Sequence, residues 1–191
     1  MCTSATDAIR ANHAWVAVDD NGGHENDLVQ AGRITCEGVQ AVCNLQQHRF
    51  WAWGRHNSRP GCAGFSNVQP IAQDLGQWTT GADSFIVARS GGEWKVFLNG
   101  SYVNGVAEGS ICWAKVRALW AGETWDIGDA MGGLAGNKYA LTQAAYQTAI
   151  AGPWLNPGFT AGAQCENNPD VDPPYKCVTP SNNSLSIWTE H

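Results

Sequence analysis

The sequence is poor in charge. Asp, Glu, Lys and Arg make up 15% of its 191 residues, against about 25% in an average domain. Acidic residues outnumber basic ones, the formal net charge is −6, and no cluster of five or more Lys and Arg occurs. Such a chain repels a phosphate backbone at neutral pH, which excludes nucleic acid as a partner. No apolar run reaches the roughly 20 residues of a membrane-spanning helix. There is no C-x-x-C and no Cys/His spacing of a zinc site, so no metal is expected. The sequence also lacks a G-x-S-x-G nucleophile elbow and a P-loop. Nothing calls for an organic cofactor. Of the histidines, His13 and His48 fall in β-prone runs and read as structural, and none of His13, His24, His48, His56 and His191 sits in a catalytic motif.

What is present is a hydrophobic fraction of 43%, ten tryptophans and seven cysteines. With so few charges, the surface must be polar through Asn, Gln, Ser, Thr and Gly. Cysteines without metal spacing read as disulfides, which places the chain in an oxidising compartment; secretion is expected, and would require that a leader was removed before residue 1. Cys165–Cys177 is expected to close a loop rich in Pro and Asn. Cys36, Cys43, Cys62 and Cys112 are expected to form two more bridges, with Cys43–Cys62 and Cys36–Cys112 as one arrangement. Cys2 is left over as a terminal thiol. Asn99-Gly100-Ser101 and Asn182-Asn183-Ser184 fit the glycosylation pattern.

Along the chain, short β-prone runs alternate with Gly, Asn, Asp and Pro. Strands are expected at His13–Val18, Asp27–Cys36, His48–Gly54, Ser84–Arg89, Glu93–Leu98 and Trp113–Trp125. Ser90-Gly91-Gly92 marks a hairpin, and Asn99-Gly100 a further turn. Tyr139–Ile150 reads as mixed structure, residues 152–183 as disulfide-clamped loop, and Ser184–Thr189 as a final strand. Strands at this spacing without alternating helices predict an all-β protein: one antiparallel β-sandwich domain over residues 1–191, a jelly roll, with its core at about 12–150.

Trp51 and Trp53 lie two apart in one strand, so their rings share a face, and Phe50 and Ala52 share the other. Two readings stand: the rings fill the sandwich core, or they wall a groove that binds peptide or sugar by stacking. Gln30 and Glu123 each interrupt an apolar stretch. Leu28 aligns with Gln30 by period two, and Leu119 and Trp125 align with Glu123. A carboxylate on a partly buried face is desolvated, which tends to raise its pKa. The bland alternative is an ordinary buried polar pair or an exposed edge residue.

The order of HAWVAV, LVQAGRI, HRFWAWG, GEWKVFLNG and ALWAGETWDIGDAMGG resembles the neprosin-like proteins and, more distantly, the fungal glutamic peptidases (eqolisins). The resemblance spans roughly residues 12–150. It rests on Val29-Gln30-Ala31-Gly32, then Arg49-Phe50-Trp51-Ala52-Trp53, then Ala121-Gly122-Glu123, then Met131-Gly132-Gly133. Neprosin-like enzymes carry a glutamate pair, whereas Gln30 here is similar to the eqolisin pairing of Gln with Glu. The resemblance implies a concanavalin-like sandwich and an acid-active peptidase needing no cofactor. Glu123 would be general base and then general acid. Gln30 would orient the water and donate to the oxyanion, an effect of about 3 kcal/mol. Trp51, Trp53 and Trp125 would line the substrate subsites. The partners that follow are a peptide or protein substrate and, if the fold is a binding module instead, a carbohydrate. A structural or surface-assembly protein that keeps only the fold is the third reading.

Overall fold

A computed structural model describes residues 9–20, 27–38, 47–58, 61–113, 117–124, 133–134, 137–148, 152–158 and 175–189. They form an antiparallel β-sandwich protein with one short 3-10 turn and no α-helix among the described residues. The strands are β1 (Ile9–Asp19), β2 (Leu28–Gly38), β3 (Gln47–Trp53), β4 (Gln73–Gln77), β5 (Phe85–Ser90), β6 (Glu93–Leu98), β7 (Ser101–Ala107), β8 (Arg117–Thr124), β9 (Gly133–Leu134), β10 (Asn137–Leu141), β11 (Tyr175–Ser181) and β12 (Ser184–Thr189). They assemble as β4-β3-β2-β1-β8, as β5-β6-β7, and as β11-β12-β10-β9.

The backbone divides into two compact units drawn from interleaved segments. One comprises Trp15–Arg33 and Gln47–Leu119, the other Met1–Ala14, Ile34–Gln46 and Trp120–His191.

In the first unit, the β5–β6–β7 meander follows from its turns. Ser90 pairs with Glu93 around Gly91 and Gly92, and Leu98 pairs with Ser101 around Asn99 and Gly100. All four turn residues have positive φ, from 51° to 80°. Two-residue hairpin loops need that conformation to match strand twist, and Gly and Asn adopt it at least cost. The meander and the β2–β3 part of the larger sheet close on one core: Val29, Ala31, Trp51, Trp94, Val96, Val106, Ile111, Trp113 and Cys62. The Trp113 indole donates to the Gly54 carbonyl at 3.0 Å, so its buried N–H is satisfied. Cys62–Cys112 ties the loop after β3 to the segment entering β8. This corrects the Cys43–Cys62 and Cys36–Cys112 arrangement. Both partners are delivered to one core by strands far apart in sequence, which spacing cannot reveal. The expected Cys165–Cys177 bridge lies outside the described residues.

Arg117 holds the start of β8 to β1: its Nε donates to Asp19 Oδ1 at 3.0 Å, and a second nitrogen reaches Oδ2. In the second unit, β10 pairs with β12 and β12 with β11. Residues 152–183, expected as loop throughout, therefore contain a strand, β11, whose backbone pairs with the final strand.

Candidate functional site

Strand alternation assigns Gln30 to a face. Val29 and Ala31 point into the inter-sheet core, so Gln30 and Gly32 point to the opposite side of the sheet. The same argument puts Trp51 and Trp53 on the core face, and Phe50 and Ala52 on the Gln30 face. On β1, Val18 packs against the core, which leaves Trp15 and Ala17 on the Gln30 side. On this second face the described residues are little exposed: Trp15 8%, Gln30 6%, and Ala17, Phe50 and Ala52 fully buried.

The described residues that share the Gln30 face on β1 and β3 include Trp15, Ala17, Phe50 and Ala52, all apolar and buried. The Gln30 amide oxygen is buried and accepts no hydrogen bond among the described residues. A buried acceptor without a donor costs about 1–3 kcal/mol. A leucine would fill the same space without that cost, so the amide is a chemical feature that packing does not account for.

Glu123 lies in β8, which with β2 flanks β1 in the sheet order. Its side chain, and all of Trp125, lie outside the described residues. Trp51 is 2% exposed and belongs to the core cluster, the packing alternative its alternation allowed. Trp53 packs against the same core, with the Arg55 guanidinium 5.7 Å from its ring centroid.

A polar network that the sequence did not reveal sits at the start of β5. Asp83 Oδ2 accepts from Arg33 Nε at 3.1 Å and from Arg49 Nε at 3.0 Å, while Oδ1 accepts from Asn99 Nδ2 at 3.1 Å. Arg33 also donates to the Gly81 carbonyl and stacks on Trp78, 4.2 Å from its centroid. Burial pushes the Asp83 carboxyl up. The hydrogen bonds from Arg49 and Asn99 and the charges of Arg33 and Arg49 outweigh this and hold it below its ordinary value. The available signal was parity: Arg33 follows Val29 and Ala31 by period two, and Arg49 precedes Trp51. A cation on a core-facing row demands a buried counter-ion. His48, on the Gln30 side of β3, meets Asp74 at 3.0 Å. Asp74 also caps the backbone N–H of Gly76 at 2.7 Å, which makes the pair part of the β4 edge. No group of three or more His, Cys, Asp or Glu that could hold a metal ion occurs among the described residues.

The whole arrangement is similar to a known structure. The crystal structure of aspergilloglutamic peptidase from Aspergillus niger superposes with a TM-score of 0.57 over 94% of this chain and 98% of that one, at 15% sequence identity. The likeness establishes the fold alone, an antiparallel β-sandwich like that of this peptidase. It falls on the glutamic-peptidase side of the resemblance read from the strand motifs. No family model matches the chain, neprosin-like or other, and no curated protein does.

Proposed function

We propose that the chain is a secreted glutamic-type peptidase that hydrolyses peptide bonds at acidic pH with Gln30 and Glu123 as its dyad. One observation carries the reading: a buried glutamine amide with an unpartnered oxygen, on the sheet face opposite the core, in a fold similar to a glutamic peptidase. The unpartnered oxygen suits a water proton. The amide N–H groups suit a developing oxyanion, and near-enclosure in apolar surroundings is where such a donor counts most.

In the reaction, Glu123 removes a proton from a water as its oxygen attacks the peptide carbonyl carbon. The carbonyl π electrons move to oxygen, where Gln30 donates a hydrogen bond. Collapse of the tetrahedral intermediate breaks the C–N bond, and Glu123 passes its proton to the departing amine. The carboxylate is then ready for another turn, and no cofactor enters the balance. The Cys62–Cys112 bridge supports an oxidising, extracellular setting.

The test is digestion of an acid-unfolded protein from pH 2 to 6 by the native chain and by Glu123→Gln. A near-isosteric swap that removes the proton acceptor should cut the rate by at least about a hundredfold without loss of folding. Equal cleavage by both, or none by either, removes the reading.

A further inference from the structure

We infer that the loop carrying Trp154 is a binding site for a neutral polysaccharide, separate from any peptidase chemistry. Trp154 is 57% exposed, although an indole is the largest apolar surface a chain can leave in water. Its backbone is fixed on both sides. Tyr146 and Leu155 exchange two backbone hydrogen bonds, at 3.0 and 2.8 Å, and Gln147 Nε2 donates to the Gly152 carbonyl at 2.6 Å. After the tryptophan, Asn156 Nδ2 donates to Asn182 Oδ1 at 2.9 Å, while Asn156 Oδ1 accepts the Gly158 N–H at 2.9 Å. Pro153 and Pro157 stiffen the same stretch. The ring is thus held out on a pre-organised support, so a ligand meets little ordering cost.

The chemistry around it selects the ligand. Residues 139–165 and 178–189 contain no Asp, Glu, Lys, Arg or His. The polar groups joined to the loop are amides and hydroxyls: Asn156, Asn182, Asn183, Ser181 and Ser184. An exposed indole on a loop whose hydrogen-bonded side chains are neutral amides and hydroxyls fits a pyranose, which offers an apolar C–H face and uncharged hydroxyls. It does not fit a phosphate, a uronate or a charged peptide. Such a site would hold the protein on a polysaccharide surface.

The test is gel retardation of the native chain in hydroxyethyl cellulose, glycogen, glycol chitin and heparin, with titration by cellohexaose, maltohexaose and N-acetylchitohexaose. At least one neutral glycan should bind, and Trp154→Ala should weaken it about tenfold or more, the scale of losing one anchoring aromatic. Trp154→Phe should keep part of the binding. Melting temperature should not move, since the side chain is exposed. The proposal fails if no neutral glycan binds, if Trp154→Ala binds like the native chain, or if heparin binds as well as the neutral glycans. It fails equally if Trp154→Ala changes only the oligomeric state by light scattering, which would make the ring a protein contact.

Discussion

Gln30→Leu separates an amide kept for chemistry from one kept for structure. Leucine has nearly the same volume as glutamine and leaves no polar atom behind. The native amide oxygen is buried without a donor, a penalty of about 1–3 kcal/mol that the substitution removes. The low end of that range applies, because the residue keeps 6% of its surface in water. The expectation is a gain of about 1 kcal/mol, which raises the melting temperature by about 2–4 °C in a chain of this size. Activity should move the other way, because removing one oxyanion donor costs about a hundred- to a thousandfold in rate. Thermal unfolding and digestion of acid-unfolded protein read both quantities on the same preparation. A variant less stable than the native chain by more than about 1 kcal/mol would refute the orphaned-acceptor argument. A more stable variant that still cleaves at the native rate would refute the catalytic one.

Asp83→Asn should destabilise the chain by about 3 kcal/mol, because it strands two arginines on the core-facing rows. That is the low end of the range for breaking a buried pair, since Arg33 and Arg49 keep 17% and 20% of their side chains exposed. The Asp83 carboxyl is held below its ordinary value in the folded state. The stability it contributes is therefore fully present above the ordinary carboxylate value, about 4, and is lost only as pH falls through the lower folded value. Urea denaturation should give the same native–variant gap at pH 7 and pH 5 and a smaller one near pH 2; a gap that closes by pH 5 would contradict the clamp. Replacing Cys62 and Cys112 together by alanine opens a closure of 50 residues and should cost about 4 kcal/mol by chain entropy, read by denaturation under non-reducing conditions. No change would mean that another link already restrains the same loop.

Strands were legible where period two coincided with strong turn signals. Glu93–Leu98 was expected with the bounds it has, and so was Ser184–Thr189. β4 was not, because Gln73-Asp74-Leu75-Gly76-Gln77 has no alternation. It is a mostly exposed edge strand held by backbone pairing to β3. β7 escaped because Asn104-Gly105, itself a turn signal, interrupts the Tyr and Val residues of Ser101–Ala107. Its place is imposed by the Asn99-Gly100 turn, which folds whatever follows back onto β6. Tertiary pairing, not local preference, makes both strands.

The tryptophans show why the candidate site was only half legible. Their number suggested a binding surface, yet Trp51, Trp94 and Trp113 meet in one core. A sandwich of short strands with many small residues needs large rings to fill the space between its sheets. Periodicity says which residues share a face, but not which face the second sheet covers. Once Val29 and Ala31 are known to face that sheet, the parity of β2 assigns packing to one side and leaves Gln30 on the other. The residue that breaks the apolar pattern without a hydrogen-bond partner is then the informative one. The indole nitrogens of Trp51 and Trp94 are buried without a partner too, so it is the position of the Gln30 amide, on the face the core does not use, that singles it out.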